Sequence, residues 1–499
     1  MIDSVRHEGG VGGAGTLLRP SRREAIWIPF GLLASAATAF LVASGFWYAA
    51  LALLLIVPSF IVLHRYPLAV ITVWLVLTPL VVETSNDHLR KVFWFVHRGL
   101  PVVTLVVVVV GSVIGTRSRT LPKLGWPELF MAGYIVATVL SIYYTSEDPA
   151  AAAILLFDRV IVPMCLYLIV RLLEPDERDL RWLVPAVIFV LVTQSLIGLL
   201  SWTVPGVLPT DWLGKLGERT IGSLRTPDVF GTTVLFCGLF LFSAALNARN
   251  HAIGRVWAVL ALVLTMFMVF MTFSRGNWLA GSLAIIGTLF IYREFAKALI
   301  VVLAPVVVLS LATGALAGQV QLAQERFLSE QSEESALSRL PVVFAAVRMF
   351  EAKPLLGWGY ESFDRFDREF QRQVGDLVYP DKDHASHNSY LTILAEQGII
   401  GFLLFIAPTV YWLFRSASYR LRLPADGLIS RRLLTVLWMI ILAHVVVNNF
   451  SRMLVPFGLG MFWLTLGLIA SLVHRYSRED GASVLSRDAR PDLGAFEAE

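Results

Sequence analysis

Long apolar runs restrict the fold more than any other feature, and the first extends from Ala25 to Leu63 without one charged side chain. A transmembrane helix needs about 20 apolar residues, so this run alone is long enough for two helices. Of the 499 residues, 56% are hydrophobic and only 16% are charged, whereas soluble globular proteins carry about 25% charged residues. The sequence therefore predicts an all-α polytopic integral membrane protein.

Further apolar runs follow, and together the runs predict about 12 to 14 transmembrane helices. After the first two spans, the runs lie near 67–82, 99–115, 124–144, 151–170, 182–204, 228–248, 256–273, 277–292, 298–317, 399–414, 433–450 and 453–473. The longest segment between runs contains two amphipathic stretches separated by Pro and Gly, which predicts a large helical loop outside the bilayer.

The loops on one side of the predicted bundle carry most of the Lys and Arg, including five arginines between Arg415 and Arg432. The positive-inside rule places this side, with both chain termini, in the cytoplasm. We therefore expect a multi-pass membrane protein with both termini on the cytoplasmic side. Its predicted segments are a disordered cytoplasmic tail (1–24), a helical bundle (25–317) with an external loop (205–227), an external helical cap (318–388), C-terminal transmembrane helices (389–474) and a cytoplasmic tail (475–499).

Four arginines on the predicted external face run against this cytoplasmic bias. They are Arg219, Arg225, Arg275 and Arg339. For each one alone, snorkelling of a long side chain towards the headgroups is a sufficient explanation. Together they would form a site for a multiply charged anion, because each guanidinium donates two parallel hydrogen bonds and stays charged.

Polar residues inside two apolar runs have either a structural or a functional interpretation. His444, Asn448 and Arg452 are spaced at i, i+4 and i+8 and share one helix face. They either make hydrogen bonds between helices or line the same external cavity as the arginines. Asp158 and Arg159 are adjacent, so their side chains do not face each other, and we expect each to pair elsewhere.

Four stretches of the chain carry motifs. They are "RTIGSLRTPDVFG" (219–231), "SRGNWLAG" (274–281), "SRLPVVFAAVRMFEAKPLLGWGYESF" (338–363) and "HNSYLTILAEQGIIG" (387–401). In this order they resemble motifs of the O-antigen ligase and polymerase superfamily of bacterial envelope glycan enzymes. The first stretch departs from the family pattern, because Asp228 and Gly231 stand where the family usually has Asn and Ala.

The resemblance implies an inverting glycosyltransferase of the bacterial cytoplasmic (inner) membrane, which works at its outer face without a metal ion or another cofactor. Such an enzyme takes a glycan from undecaprenyl diphosphate and passes it to a hydroxyl group of an acceptor glycan or lipid. The implied partners are these substrates, the bilayer and other membrane proteins of polysaccharide assembly. Nothing in the charge distribution suggests a nucleic acid.

The resemblance also implies roles for individual residues. Arg219 and Arg275 would be catalytic, because they would stabilise the charge on the leaving diphosphate, and His387 would accept the proton of the attacking hydroxyl. His384 is a rival base that lies outside the motif. The implied substrate-binding residues are Arg225, Arg339, Asn388, Tyr390, His444 and Arg452, although Asn388 is also a typical helix cap.

Three functions remain open from the sequence alone. The first is a glycan polymerase or ligase, with the polymerase favoured because an Ala-, Arg- and Val-rich composition suits a high-GC bacterium. The second is a membrane transporter of anions or polysaccharide precursors, although two similar halves with interrupted spans are not apparent. The third is an assembly scaffold with a degenerate site.

Overall fold

A computed structural model gives the structure of the chain. Its described residues are 66–82, 86–114, 121–213, 219–247, 251–293, 295–297, 339–371, 386–451 and 455–488, with single positions at 36, 39, 43, 44 and 321. The fold concerns the compact unit Tyr66–Glu499. The predicted spans within 25–63 and at 298–317, most of the cap between 318 and 338, and residues 372–385 lie outside the described residues.

Regular structure in these ranges is helical, and no strand occurs in them. The helices are α1 Ala69–Val81, α2 Asp87–Val113, α3 Trp126–Thr145, α4 Pro149–Leu173, α5 Glu177–Thr203, α6 Pro227–Leu246, α7 His251–Met271, α8 Arg275–Ile291, α9 Leu340–Ala352, α10 Phe363–Gln371, α11 Ser389–Tyr419, α12 Arg431–Asn448 and α13 Pro456–Asp488. Within the described part, nine of them are long and apolar enough to cross a membrane. Every predicted span in these ranges coincides with a helix, which confirms the all-α polytopic fold.

The centre of the bundle is formed by α6 and α13. In their most apolar 18 residues, 83% and 89% are buried, compared with 28% in α3 and 33% in α2 and α7. The central helices pack against α4, α7, α11 and α12. At Gly467 of α13, an added Cβ would lie 2.9 Å from the carbonyl oxygen of Tyr167 in α4. Small residues allow such close approach of membrane helices. The less buried helices α2, α3 and α7 form the rim of the bundle.

Helix α11 is broken near its start by Gly398, whose backbone is not helical (φ 63°, ψ −169°). The loop after α9 fills this break, and residues 354–359 of that loop are named the splint. Four backbone hydrogen bonds join the two: Trp358 N–H to Ala395 O (3.0 Å), Gly359 N–H to Glu396 O (2.7 Å), Ile399 N–H to Pro354 O (2.8 Å) and Ile400 N–H to Leu355 O (3.3 Å). The splint thus pairs the backbone groups that the break leaves without helical partners.

Two glycines make this close approach possible. Gly357 of the splint and Gly398 of α11 both have positive φ values, of 67° and 63°. A Cβ on Gly357 would overlap with the backbone of Glu396, and a Cβ on Gly398 would overlap with the carbonyl oxygen of Leu355. The two motifs "PLLGWG" and "AEQG" are therefore two parts of one structural unit.

We expect Gly357→Ala to lower the free energy of unfolding by about 2 kcal/mol or more, because it adds both backbone strain and a steric overlap. The matched control is Gly206→Ala, since a Cβ there meets no atom within 4 Å. Thermal unfolding of the purified variants in detergent measures the difference. Equal unfolding temperatures for the two variants would contradict the close packing of the splint.

Ion pairs and hydrogen bonds fix the residues after the splint to α3 and α4. The Tyr360 amide donates to the Ser141 hydroxyl (2.9 Å), and Arg159 forms an ion pair with Glu361. Asp158 instead accepts two hydrogen bonds from Arg98, at 2.6 and 2.7 Å. The expectation that Asp158 and Arg159 pair elsewhere is confirmed. Both partners come from outside α4, and Arg98 and Asp158 lie on π-helical turns of α2 and α4.

Candidate functional site

Four helices begin in one region of the unit, which is named the site end. The residues that cap α6, α8, α9 and α11 are Thr226, Ser274, Arg339 and Asn388, respectively. The N-terminus of a helix carries about half a positive charge, and its free amide groups point outwards. Four such termini in one region produce a local potential that favours an anion.

Asp228, in the first turn of α6, links three of these helix starts. Its carboxylate accepts a hydrogen bond from the Ser274 hydroxyl (2.8 Å) at the start of α8. The same carboxylate interacts electrostatically with Arg219 and Arg339. Arg339 in turn interacts with the charge of Arg275. These electrostatic interactions connect Arg219, Arg275 and Arg339, which are named the arginine cluster.

Positive charges within the arginine cluster interact unfavourably with one another. Burial is the main cause that lowers the pKa of the Arg339 guanidinium, and the positive charge of Arg275 lowers it further. Asp228 acts in the opposite direction and favours the charged form. Like charges in a partly buried site repel one another, and an anion among them offsets this repulsion.

Arg219 lies at the start of a tightly held segment that leads into α6. The Thr220 amide donates to the carbonyl of Met271 (3.0 Å), and its hydroxyl accepts from the Trp202 indole (2.8 Å). Further along, Ser223 is buried and receives a hydrogen bond from Gln194 (2.7 Å). Because the backbone on both sides of the segment is tied to α5 and α7, Arg219 occupies a defined position.

Arg225 has a different environment from the arginine cluster. It is exposed, has a left-handed backbone (φ 61°) and forms an ion pair with Asp211 at 3.2 Å. Its predicted role in substrate binding therefore has less structural support than that of the cluster.

The start of α8 packs closely on α6, and this packing gives a reason for the glycine at position 231. The Asn277 amide donates to the carbonyl of Pro227 (2.6 Å) at the beginning of α6. A Cβ on Gly231 would overlap with this amide group. Gly231 thus leaves room for Asn277, which fixes the backbone immediately before Asp228.

His387 lies in the turn that leads into α11. Its side chain is half-buried and its backbone is left-handed (φ 48°), which is uncommon for a residue with a side chain. Asn388 caps the helix, because its side chain accepts hydrogen bonds from the amides two and three residues further on, both at 3.0 Å. The buried Ser386 hydroxyl donates to the Asn388 carbonyl (2.9 Å). These contacts hold the turn, and strained residues of this kind are frequent at functional sites.

The turn that follows α12 connects His387 to the arginine cluster. Ser389, two residues after His387, donates its hydroxyl hydrogen to the carbonyl of Ser451 (2.9 Å). Gly276, next to Arg275, faces Phe450, whose Cβ would lie 3.0 Å from a Cβ on the glycine. Chain segments next to His387 and next to Arg275 therefore contact the same short turn, at Ser451 and Phe450.

The polar face predicted for α12 is divided in the structure. Asn448 lies near the Ser389 hydroxyl (3.4 Å) and forms a hydrogen bond with Tyr390. His444, one turn deeper, is only 1% exposed and packs edge-on against Phe462. Neither ring nitrogen of His444 has a hydrogen-bond partner among the described residues. Arg452 lies outside those residues.

Sequence reasoning missed several residues that shape the site. Asp228 was noted only as a departure from a motif, and Ser274 and Asn277 only as parts of "SRGNW". A Ser followed by a helical run is a typical N-cap signal, so Ser274 could have been found. The contact between Ser389 and Ser451 joins positions far apart in the sequence, so no local sequence pattern predicts it.

Comparison with protein families gives one match at this site. A family model described as O-Antigen ligase matches residues 260–406. The matched part contains Arg275, Arg339 and His387, whereas Arg219 and Asp228 precede it. No curated protein matches the chain. The match confirms the resemblance of this part of the chain to the O-antigen ligase and polymerase superfamily. The nine apolar helices in the described ranges are those of a multi-pass membrane protein.

Proposed function

We propose that the protein transfers or polymerises a glycan from an undecaprenyl-diphosphate donor onto an acceptor hydroxyl. The observation that carries the proposal is the gathering of the arginine cluster at converging helix starts, across one turn from His387. The match to the O-antigen ligase family supports the reaction class. We further propose a polymerase rather than a ligase, for which the composition of the chain is the support.

In the proposed reaction, the arginine cluster binds the diphosphate of the donor. When the bond between the glycan and the phosphate breaks, negative charge grows on the leaving diphosphate. Cations and helix N-termini already aimed at that charge stabilise the transition state more than the ground state. The preferred guanidinium geometry, with two parallel donors, matches two oxygens of one phosphate group.

His387 is the proposed general base. A neutral imidazole accepts the proton of the acceptor hydroxyl while that oxygen attacks the anomeric carbon. Attack from the face opposite the diphosphate inverts the configuration at this carbon. The cap at Asn388 and the buried Ser386 would keep the turn in place, so these neighbours position His387.

The site end is proposed to face the outside of the cytoplasmic membrane. The arginine-rich loops at the opposite ends of the spans support this orientation through the positive-inside rule. A cysteine at the exposed Asp364 of α10 would then react with a membrane-impermeant thiol reagent in intact cells. Reaction only after lysis would place the site in the cytoplasm and contradict the proposal.

The proposed function is tested with the purified protein in detergent and a lipid-linked glycan as donor. A ladder of longer lipid-linked glycans is the expected product of a polymerase, whereas a single transfer to a lipid acceptor would identify a ligase. Both products are resolved by gel electrophoresis and mass spectrometry. Movement of the donor across proteoliposomes without any transfer would overturn the proposal in favour of a carrier.

A further inference from the structure

The turn that follows α12 consists of residues 449–451 and joins the starts of two other helices. A Cβ on Gly276, the residue after Arg275 in α8, would lie only 3.0 Å from the Cβ of Phe450. The last carbonyl group of the turn accepts a hydrogen bond from the Ser389 hydroxyl at the start of α11 (2.9 Å). The turn therefore contacts a neighbour of one cluster arginine and a neighbour of the proposed base.

Hydrogen bonds hold the backbone of this turn. The amides of Asn449 and Phe450 donate to carbonyl groups in the last turn of α12, at 3.1 and 2.9 Å. The Asn449 side chain also donates to the carbonyl of Val445 (2.8 Å). Phe450 is thus presented from a backbone with a defined conformation, as a binding site requires.

Phe450 itself is 44% exposed, whereas Asn448 and Ser451 close to it in the chain are buried. Single exposed apolar side chains are common in proteins, but this one lies beside two side-chain amides. The Nδ2 of Asn388 is 3.5 Å from the Oδ1 of Asn449. A hydrogen bond is usually about 2.7–3.2 Å long, so this weak contact leaves both amides able to bind hydroxyl groups.

An exposed aromatic ring beside amide groups is suited to a sugar. One face of a sugar ring carries C–H groups with small positive charges, and these are attracted to the negative face of an aromatic ring. The hydroxyl groups at the rim of the sugar both donate and accept hydrogen bonds, as amide side chains do. Such a surface binds a sugar without a charged group.

The proposed reaction requires a sugar between the arginine cluster and His387. The anomeric carbon is bonded to the diphosphate on one side and is attacked by the acceptor oxygen on the other. The sugar ring that holds this carbon must therefore lie between the cations and the base. The turn after α12 contacts the neighbours of both, so its exposed ring lies where that sugar would be.

We propose that Phe450 is the platform on which the transferred sugar of the donor stacks, with the amides of Asn388 and Asn449 towards its hydroxyl groups. Stacking would fix the sugar ring relative to the diphosphate and the attacking oxygen, and such positioning lowers the barrier of the reaction. The inference rests on the proposed function and adds a residue outside the part of the chain that the family model matches, 260–406.

The test is Phe450→Leu in the full-length protein in detergent, with the lipid-linked glycan as donor. Leucine keeps an apolar side chain that can cover Gly276 or contact lipid, but it has no aromatic face. We expect kcat/KM for the donor to fall about tenfold or more, which corresponds to about 1.4 kcal/mol. Binding of inorganic pyrophosphate, measured by calorimetry, should stay within about twofold of wild type, because the ring contacts the sugar and not the phosphates.

Three further variants make the result specific to the ring and to its position. Phe450→Tyr keeps the aromatic face and should restore kcat/KM to within about threefold of wild type. Phe189→Leu is the matched control, because Phe189 is 43% exposed in the middle of α5, and its transfer should equal that of wild type. Phe450→Met repeats the comparison if Phe450→Leu does not fold.

The outcomes separate this inference from the proposed function. Wild-type transfer by Phe450→Leu would overturn the stacking and leave the proposed function intact, since the ring would then serve only as an apolar surface. Loss of transfer together with pyrophosphate binding, or no rescue by Phe450→Tyr, would also overturn it and give Phe450 a structural role. Absence of both transfer and pyrophosphate binding in wild type would overturn the proposed function and the stacking with it.

Discussion

His387→Ala is expected to lower the rate of glycan transfer by about 10²–10⁴-fold, the usual effect of removing a general base. The variant should still fold, because the cap of α11 is made by Asn388 and Ser386 rather than by the imidazole. It should also still bind the donor, since the arginine cluster remains. The change therefore separates the step that activates the acceptor from the step that binds the diphosphate.

The decisive measurement for His387 is the transfer rate under single-turnover conditions, together with pyrophosphate binding, in the same detergent preparation. His384→Ala removes the rival base and should lower the transfer rate much less. His88→Ala replaces an exposed histidine at the start of α2 and serves as a neutral control. Near-normal transfer by His387→Ala would remove this residue from the mechanism. Loss of pyrophosphate binding together with transfer would make His387 part of the anion site.

Arg219→Lys and Arg275→Lys are expected to reduce transfer by about 10²–10³-fold, as the loss of one preorganised donor in an oxyanion-type site does. Lysine keeps the charge but offers a compact ammonium group in place of the planar fork, so it cannot reproduce two parallel hydrogen bonds to one phosphate. The effect should fall mainly on kcat, because the charge that these groups stabilise grows in the transition state.

Arg365→Lys in α10 is the matched control for the two arginine variants. Arg365 forms an ion pair with Glu147 at 2.8 Å, and both side chains are largely exposed. Exposed pairs contribute little, so this variant should keep transfer close to the wild-type rate. Wild-type turnover in both Arg219→Lys and Arg275→Lys would instead show that these side chains only reach for lipid headgroups.

The membrane helices could be predicted from the sequence because the bilayer leaves the backbone few choices. An apolar segment in lipid must satisfy its own amide and carbonyl groups, and a helix does so locally. The runs at 182–204 and 228–248 therefore became α5 and α6 with shifts of only a few residues. The break at Gly398 also has a local cause, because glycine readily adopts the positive φ of 63° found there.

The parts of the site that could not be predicted depend on contacts between distant segments. Asp158 and Arg159 were expected to find separate partners, but nothing local identifies Arg98 and Glu361 as those partners. The position of Asp228 among the arginines likewise depends on how α6, α8 and α9 begin together. Such arrangements follow from the packing of whole helices, and the period of apolar residues does not encode them.

The splint has a consequence for the order in which the chain enters the membrane. Residues 354–359 are synthesised before α11. The amide and carbonyl groups of the splint are therefore present before their partners in α11 are. Until the two segments meet, four amide groups lack the acceptors that they have in the final fold. An interrupted helix is costly to leave in lipid with such groups unpaired. The first turns of α11 therefore complete their hydrogen bonding only when the loop after α9 lies beside them on the same side of the bilayer.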